Sequence, residues 1–317
     1  MKKTEATVAG ADDMEVDAAW LHFVEGLTQA EIAERRGLSR MKVHRLIQLA
    51  RDKGLVRFFV ERVPSDCLEL EARLMERYGL TSCTVVPATG KDIDSSLDVV
   101  AVAGARFLFG LLEPTTPRTI GIGSGRTIAR VVHSLPALAR PNTTFTSITG
   151  DFAELNEANP KEVVNALIRK TGGAGYALPA PLVADSQADR DLFLRQRSVA
   201  ATLKAAAKAD FFLIGIGHVG KNSFWDKWNL VSGDELLEFE KQRIVADIAG
   251  HLIDADGNLG AGNLASRLVS IDYATLCSRP VYAVCGGVEK AQALRVVLKS
   301  GLLAGLVVTS NLAKLVL

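Results

Sequence analysis

The chain has 317 residues, 48% of them apolar, with 37 basic and 36 acidic side chains and four cysteines. That length and apolar content suit two folded domains with at least one large core, and they exclude a disordered chain. No run of about eighteen uncharged apolar residues offers a membrane span, and the opening MKKTEATVAGADDMEVD lacks a signal peptide's apolar stretch, so a cytoplasmic protein with no membrane partner is expected.

Cys67, Cys83, Cys277 and Cys285 stand apart, with no CxxC pair and no neighbouring histidine, which speaks against zinc and for free thiols. No metal or cofactor is expected. The net charge of +1 hides an uneven distribution: between Arg35 and Arg57 eight Lys or Arg stand against one acid, Asp52. Only that surface is built for a polyanion.

Residues 1–13 are small and polar and are expected to lack fixed structure. From Met14 to Glu25 the pattern predicts a helix burying Val16, Ala19, Trp20, Phe23 and Val24, with Trp20 in the core. The stretch Leu27–Ala50 then spells two short amphipathic helices meeting at Gly37. Thr28 and Glu31 have capping-box spacing for the first, whose apolar face is Ile32 and Ala33; Ala33 is small where the helices cross. Gly37 can take the left-handed conformation that ends a helix, letting Leu38 pack back. Ser39 caps the second helix, in which Met41, Val43, Leu46, Ile47 and Ala50 form the buried stripe. Arg40, Lys42, His44 and Arg45 are left outside. This is the helix-turn-helix pattern, whose second helix enters the DNA major groove; the bland alternative is an antiparallel helical hairpin with a solvated basic face. Arg35, Arg36, Ser39, Arg40, Lys42, His44 and Arg45 are the candidate DNA-contacting residues. Arg40 and Arg45 suit guanine, because a guanidinium can bridge two acceptors.

LVRFFVERV, after Gly54, reads as a strand, either a small wing or the start of a linker. A boundary near Arg62–Pro64 comes next, giving a DNA-binding domain over 1–62 and an effector domain over 63–317. In the second part Leu68, Leu70, Leu74 and Met75 mark a helix over Ser65–Tyr78 that could pack on a partner. Strands are predicted at Ser82–Pro87, Thr119–Ile122, Thr144–Thr149, Phe211–Ile216, Val281–Val284 and Leu306–Thr309. Helices are predicted at Ile93–Leu112, Thr127–Leu135, Pro160–Thr171, Asp189–Lys208 and Val288–Gly301. Such alternation means an α/β domain of the doubly wound class, with ligands beyond the carboxyl ends of the strands.

Four loops stand at such ends. Gly121-Ile122-Gly123-Ser124-Gly125-Arg126-Thr127 opens a helix. Its glycines let backbone amides approach an anion, and Ser124, Arg126 and Thr127 add donors; a tight turn needing glycine for packing is the alternative. Gly215-Ile216-Gly217-His218-Val219-Gly220 matches GxGxxG, but KNSFWDKWNL after it does not read as the helix a dinucleotide site needs. Ala246-Asp247-Ile248-Ala249-Gly250 offers Asp247 to sugar hydroxyls, whereas Asp254–Gly257 reads as a hydrophilic turn. In Cys285-Gly286-Gly287-Val288-Glu289-Lys290, Lys290 opposes the helix dipole from the first turn, as a lysine answering a ligand's anion would; an exposed surface lysine with no ligand role is the alternative.

EGLTQAEIAERRGLSRMKVHRLIQLARDKGLV, GIGSGRTI, GIGHVGKNS, DIAGHLIDADG and GGVEKAQAL, in this order over nearly the whole chain, resemble the SorC family of bacterial sugar-responsive transcriptional regulators, often grouped with the DeoR type. The resemblance implies a winged-type helix-turn-helix joined to an effector domain like the sugar-phosphate isomerase and glucosamine-phosphate deaminase fold. It also implies a homodimer or homotetramer on palindromic operator DNA, controlled by a sugar or polyol phosphate. By matching motif, the effector residues would be Gly123, Ser124, Gly125, Arg126, Thr127, Asp247 and Lys290, with Gly217 of the second glycine loop as a further effector candidate. Ala246 precedes Asp247 where the family often has glycine. Deaminases of this fold look like GIGxDGHIAF at the second glycine loop, where this chain has Val219 and Lys221. Val219 cannot move a proton, so a regulator and not an enzyme is expected. The alternatives are a sugar-phosphate enzyme with a fused DNA-binding module and an oligomeric DNA-binding protein without a ligand.

Overall fold

A computed structural model describes residues 11–56, 63–88, 93–153, 156–220, 223–228, 230–260, 262 and 264–317. The chain divides into two compact units, Met1–Phe59 and Val60–Leu317.

The first unit is a three-helix cluster: α1 (Ala11–Phe23), α2 (Gln29–Arg36) and α3 (Arg40–Asp52). Local chemistry sets its joints. Thr28 and Glu31 form the capping box, Gly37 ends α2 in the left-handed region at φ 63°, and the Ser39 hydroxyl accepts the Lys42 N–H. Ile32, Val43, Leu46 and Ile47 then bury against Ala18 and Leu21, with Ala33 and Leu38 at the margin.

Two assignments are corrected. Trp20 is 59% exposed, with Val16 and Val24 beside it on the outer face. α1 carries two apolar stripes, and the one with small Ala18 and Ala19 lets a neighbouring helix come close, which leaves the indole outside. Met41 is 75% exposed. It lies two residues before Val43 and so on the opposite side of α3, whose stripe closes without it. The strand expected in LVRFFVERV falls mostly on residues 57–62, outside the described residues, as do most of residues 1–13.

The second unit is a parallel sheet with helices on both faces. Its elements run α4 (Ser65–Tyr78), β1 (Ser82–Val86), α5 (Ile93–Leu112), β2 (Arg118–Ile122), α6 (Arg126–Ser134), β3 (Thr143–Ser147), α7 (Pro160–Thr171) and β4 (Ala174–Tyr176). Next come α8 (Gln187–Arg195), α9 (Arg197–Ala206), β5 (Phe211–Gly215), β6 (Gly217–His218), α10 (Phe224–Lys227), α11 (Gly233–Lys241), β7 (Ile244–Ile248) and β8 (His251–Asp254). The chain ends with α12 (Tyr273–Cys277), β9 (Val281–Cys285), α13 (Ala291–Lys299), β10 (Leu303–Thr309) and α14 (Ser310–Val316). Among the described residues the sheet order is β1-β10-β9-β5-β2-β3-β4, every pairing parallel. From β2 the chain winds outward through β3 and β4, then returns to β5 on the other side of β2. The order therefore reverses between β2 and β5, the place where such sheets open a crevice.

Both faces are dry. One core holds α5, α6 and α7 side chains such as Leu108, Ile128 and Leu167; the other holds Leu74, Leu294 and Leu312. From α4, Leu70 and Leu74 serve this core, Met75 packs at its edge and Leu68 is exposed.

Three features depart from the expectation. The helix placed over Asp189–Lys208 is two, broken at Gln196, whose ψ of 135° is extended. The helix placed from Val288 begins as a 3-10 turn, Val288–Lys290, so Lys290 caps α13 and does not sit in its first turn. β6, β7 and β8 form a separate antiparallel sheet, which packs on the main core through Ala246, Ile248 and Ile253.

Candidate effector cavity and DNA-facing helix

At the carboxyl ends of β2, β5 and β9 lies a cavity of about 170 Å³. Gly123 to Thr127, Gly215 to His218, Asp247 and Lys290 line it, so every effector residue proposed from the sequence reaches one space. The loop after β2 is stitched down: the Gly123 amide donates to Leu213 O and the Gly125 amide to Ala158 O, each at 2.9 Å. Those two amides serve the fold and are not available to an anion. What remains is the start of α6, which no side chain caps, together with the Arg126 and Thr127 side chains. Lys290 reaches over from beyond the end of β9, its Nζ 3.5 Å from Thr127 Oγ1.

The cations converge. His218, on β6, has its imidazole pKa lowered first by burial and then by the positive charges of Lys290, Lys227 and Arg126, with Glu289 acting the other way. The part of that shift that comes from the neighbouring cations favours an anion there, whereas the part from burial penalises either charge.

Asp247, on β7, also lines the cavity. In register with Gly217 of β6, its carboxylate occupies space a side chain there would take, since a Cβ on Gly217 would lie 3.3 Å from Asp247 Oδ2. The Gly250 amide donates to Oδ1 at 2.9 Å. Removal from bulk water pushes this carboxyl up to about 7, against the hydrogen bond from the Gly250 amide. It sits beside the Ala249-Gly250 turn of the β7–β8 hairpin, both residues left-handed at φ 52° and 84°. Ala249 is strained there, as residues next to binding sites often are. Asp254 is a turn residue, accepting the Asp256 and Asn258 amides.

Several lining residues were not foreseen. Thr149 is 3% exposed, and its Oγ1 has no hydrogen-bond partner among the described residues. Phe224, Lys227 and Trp228 come from α10 and its end, with Phe224 edge-on to Phe152 at 5.3 Å and Trp228 tilted against it at 5.5 Å. Their signal lay in KNSFWDKWNL, whose aromatics and Ser223 cap mark one short helical turn.

On the first unit, Arg40, Lys42, His44 and Arg45 are all exposed along α3. Ser39 is spent on the cap. Arg35 and Arg36 instead pair with Glu25 at 2.8 Å and with Asp17. The charge expected to meet phosphate is thus partly neutralised within the domain.

Similarity to known proteins falls along the same division. A sugar-binding domain model matches residues 63–317, and a sigma-70 region 4 model matches residues 20–53. The chain is similar to the erythritol catabolism regulatory protein EryD of Brucella abortus, 34% identical over 310 residues and covering 97% of each chain. It is also similar to the transcriptional regulator LsrR of Klebsiella pneumoniae, 26% identical over 96% of this chain and 93% of the relative. The fold resembles the full-length sorbitol operon regulator SorC of Klebsiella pneumoniae, with a TM-score of 0.75, 22% identity and coverage of 95% and 97%. A DeoR family regulator of Listeria monocytogenes matches with a TM-score of 0.74, 20% identity and coverage of 79% and 99%. Among the described residues no helix is long and apolar enough to cross a membrane.

Proposed function

The chain belongs to the sugar-binding domain family of SorC-type transcriptional regulators, and on that footing we propose that it represses a carbohydrate or polyol operon until a phosphorylated sugar or polyol fills its cavity. The observation that carries this reading is the cavity's charged lining, in which the cations Arg126, Lys227 and Lys290 meet the acids Glu289 and Asp247. The phosphate is held by Arg126, Lys290, the Thr127 hydroxyl and the open start of α6. Asp247 takes the hydroxyl end, and Thr149 offers it a donor. Gly123, Ser124, Gly125 and Gly217 shape the walls.

The reading head is α3. Arg40 and Arg45 read guanine edges, Lys42 and His44 support them, and Arg35 and Arg36 reach phosphate by exchanging their acidic partners for DNA. The protein works as a homodimer or homotetramer on palindromic operator DNA. The effector acts only through its difference in affinity between the DNA-bound and released states, about 1.4 kcal/mol for each tenfold change.

The test is a panel of erythritol, sorbitol and their monophosphates, read by thermal unfolding and by release of promoter DNA. A phosphorylated member should raise the melting temperature and release DNA; a panel with no shift would reject the effector cavity. Arg45→Ala should lose discrimination between operator and random DNA, each base contact being worth about 1–3 kcal/mol.

One observation favours a second reading. A carboxyl titrating near neutrality is what general acid–base chemistry needs, and Asp247 is such a group. Against it, Val219 packs in the apolar cluster around Trp225 in place of a proton-transfer group. Ammonia released from glucosamine 6-phosphate would establish the enzyme.

A further inference from the structure

Trp225 is fully buried and heads the largest buried side chains of the described residues. Its ring is fixed edge-on between Phe224 and Phe239, at 6.0 and 6.3 Å. Its Nε1 is nevertheless buried with no hydrogen bond of ordinary geometry among the described residues. A buried N–H without an acceptor is costly and calls for a reason. Packing supplies a direction. Trp225 shares its cluster with Leu252, and Leu252 is in register with Asp247 on the neighbouring strand, where paired side chains share a face. Across β6, Gly217 leaves the Asp247 Oδ2 room that any side chain would fill. Oδ1 is already taken by the Gly250 amide.

We propose that Trp225 positions Asp247 for the polyol end of the effector, closing its indole N–H onto the carboxylate oxygen that Gly250 leaves free. The inference rests on the effector reading above. One oxygen is pinned by backbone and one by the indole, so the lone pairs left over present a fixed pair of acceptors to ligand hydroxyls. The indole favours the charged carboxylate over the neutral acid, in the same sense as the Gly250 amide. The cavity's cations act instead on His218, so the hydroxyl end is tuned separately from the phosphate end.

The wild-type protein supplies the first test. The Trp225 indole proton–nitrogen resonance should move with pH and share its midpoint with the Asp247 carboxyl carbon, near 7. An indole resonance indifferent to that titration overturns the contact. Trp225→Phe keeps the ring and removes the donor. It should move the carboxyl midpoint to higher pH and weaken erythritol 4-phosphate about tenfold, the scale of a hydrogen bond to a charged group, while inorganic phosphate binds as before. An unmoved midpoint, or equal loss of both probes, overturns the positioning role. Should the variant fail to fold, the wild-type titration decides. Wild-type protein that binds neither probe overturns the effector reading and with it the polyol half of the proposal, while the titration still judges the contact.

Discussion

β2 and β5 are neighbours in the sheet, carry the same Gly-Ile-Gly at their ends and open on one cavity, yet the two glycine loops do different work. After β2 the chain reads RTIARVV and goes straight into α6, giving an anion the start of a helix. After β5 the motif's last glycine already belongs to β6, the edge of an antiparallel sheet that brings up a carboxylate. The first glycines differ too. Gly121 is paired with Phe212, and a Cβ there would collide with that buried ring and with Ile148. Gly215 has only ordinary contacts, the nearest 3.8 Å away. The use of a glycine motif is thus decided by the segment it leads into and the strand that lies beside it, more than by its spelling.

The largest expected effect breaks the symmetry directly. Gly121→Ala should cost about 1–3 kcal/mol in urea unfolding through overpacking, and Gly215→Ala should stay within about 0.5 kcal/mol. Equal costs would mean that the two loops pack alike. Next, Lys290→Ala or Arg126→Ala should weaken inorganic phosphate about tenfold by calorimetry, whereas Asp247→Asn should leave phosphate binding nearly unchanged.

The pH dependence sharpens the contrast further. Asp247 titrates near 7 when folded and at the ordinary, lower carboxyl value when unfolded. The folded state therefore binds the extra proton, and its contribution to stability, complete below the unfolded value, is lost as pH rises through 7. Melting temperatures of Asp247→Asn relative to wild type should rise over that window; a flat difference would place the carboxyl in ordinary water. The smallest effect is Ala249→Gly, which relieves a left-handed alanine and should gain about 0.5 kcal/mol after the added flexibility of the unfolded chain is counted.

Much of this was legible in the sequence, for physical reasons. Caps and turns act within four residues, so Thr28, Glu31, Gly37 and Ser39 could be read directly, and buried parallel strands show as short apolar runs. The missing parts depend on distant neighbours. Trp20 was misplaced because α1 has two apolar stripes and only packing chooses between them. The two- to five-residue strands of the β6–β8 sheet carry no alternation long enough to notice. Asp247 and Lys290 were found by motif, but the local patterns around Thr149, Lys227 and Trp228, a strand end and one short helical turn, do not say that these side chains enter the cavity.

The stitched loop after β2 has a consequence for how such a sensor changes over generations. On the proposed effector reading, the phosphate end is held by a loop whose Gly123 amide is tied to β5 of the central sheet and whose Gly125 amide is tied to Ala158 O, while the hydroxyl end is met by Asp247 on the small β6–β8 ribbon. Substitutions in the ribbon can retune which compound is recognised without loosening the anchor, so a lineage can acquire a new nutrient signal while inheriting the old handle.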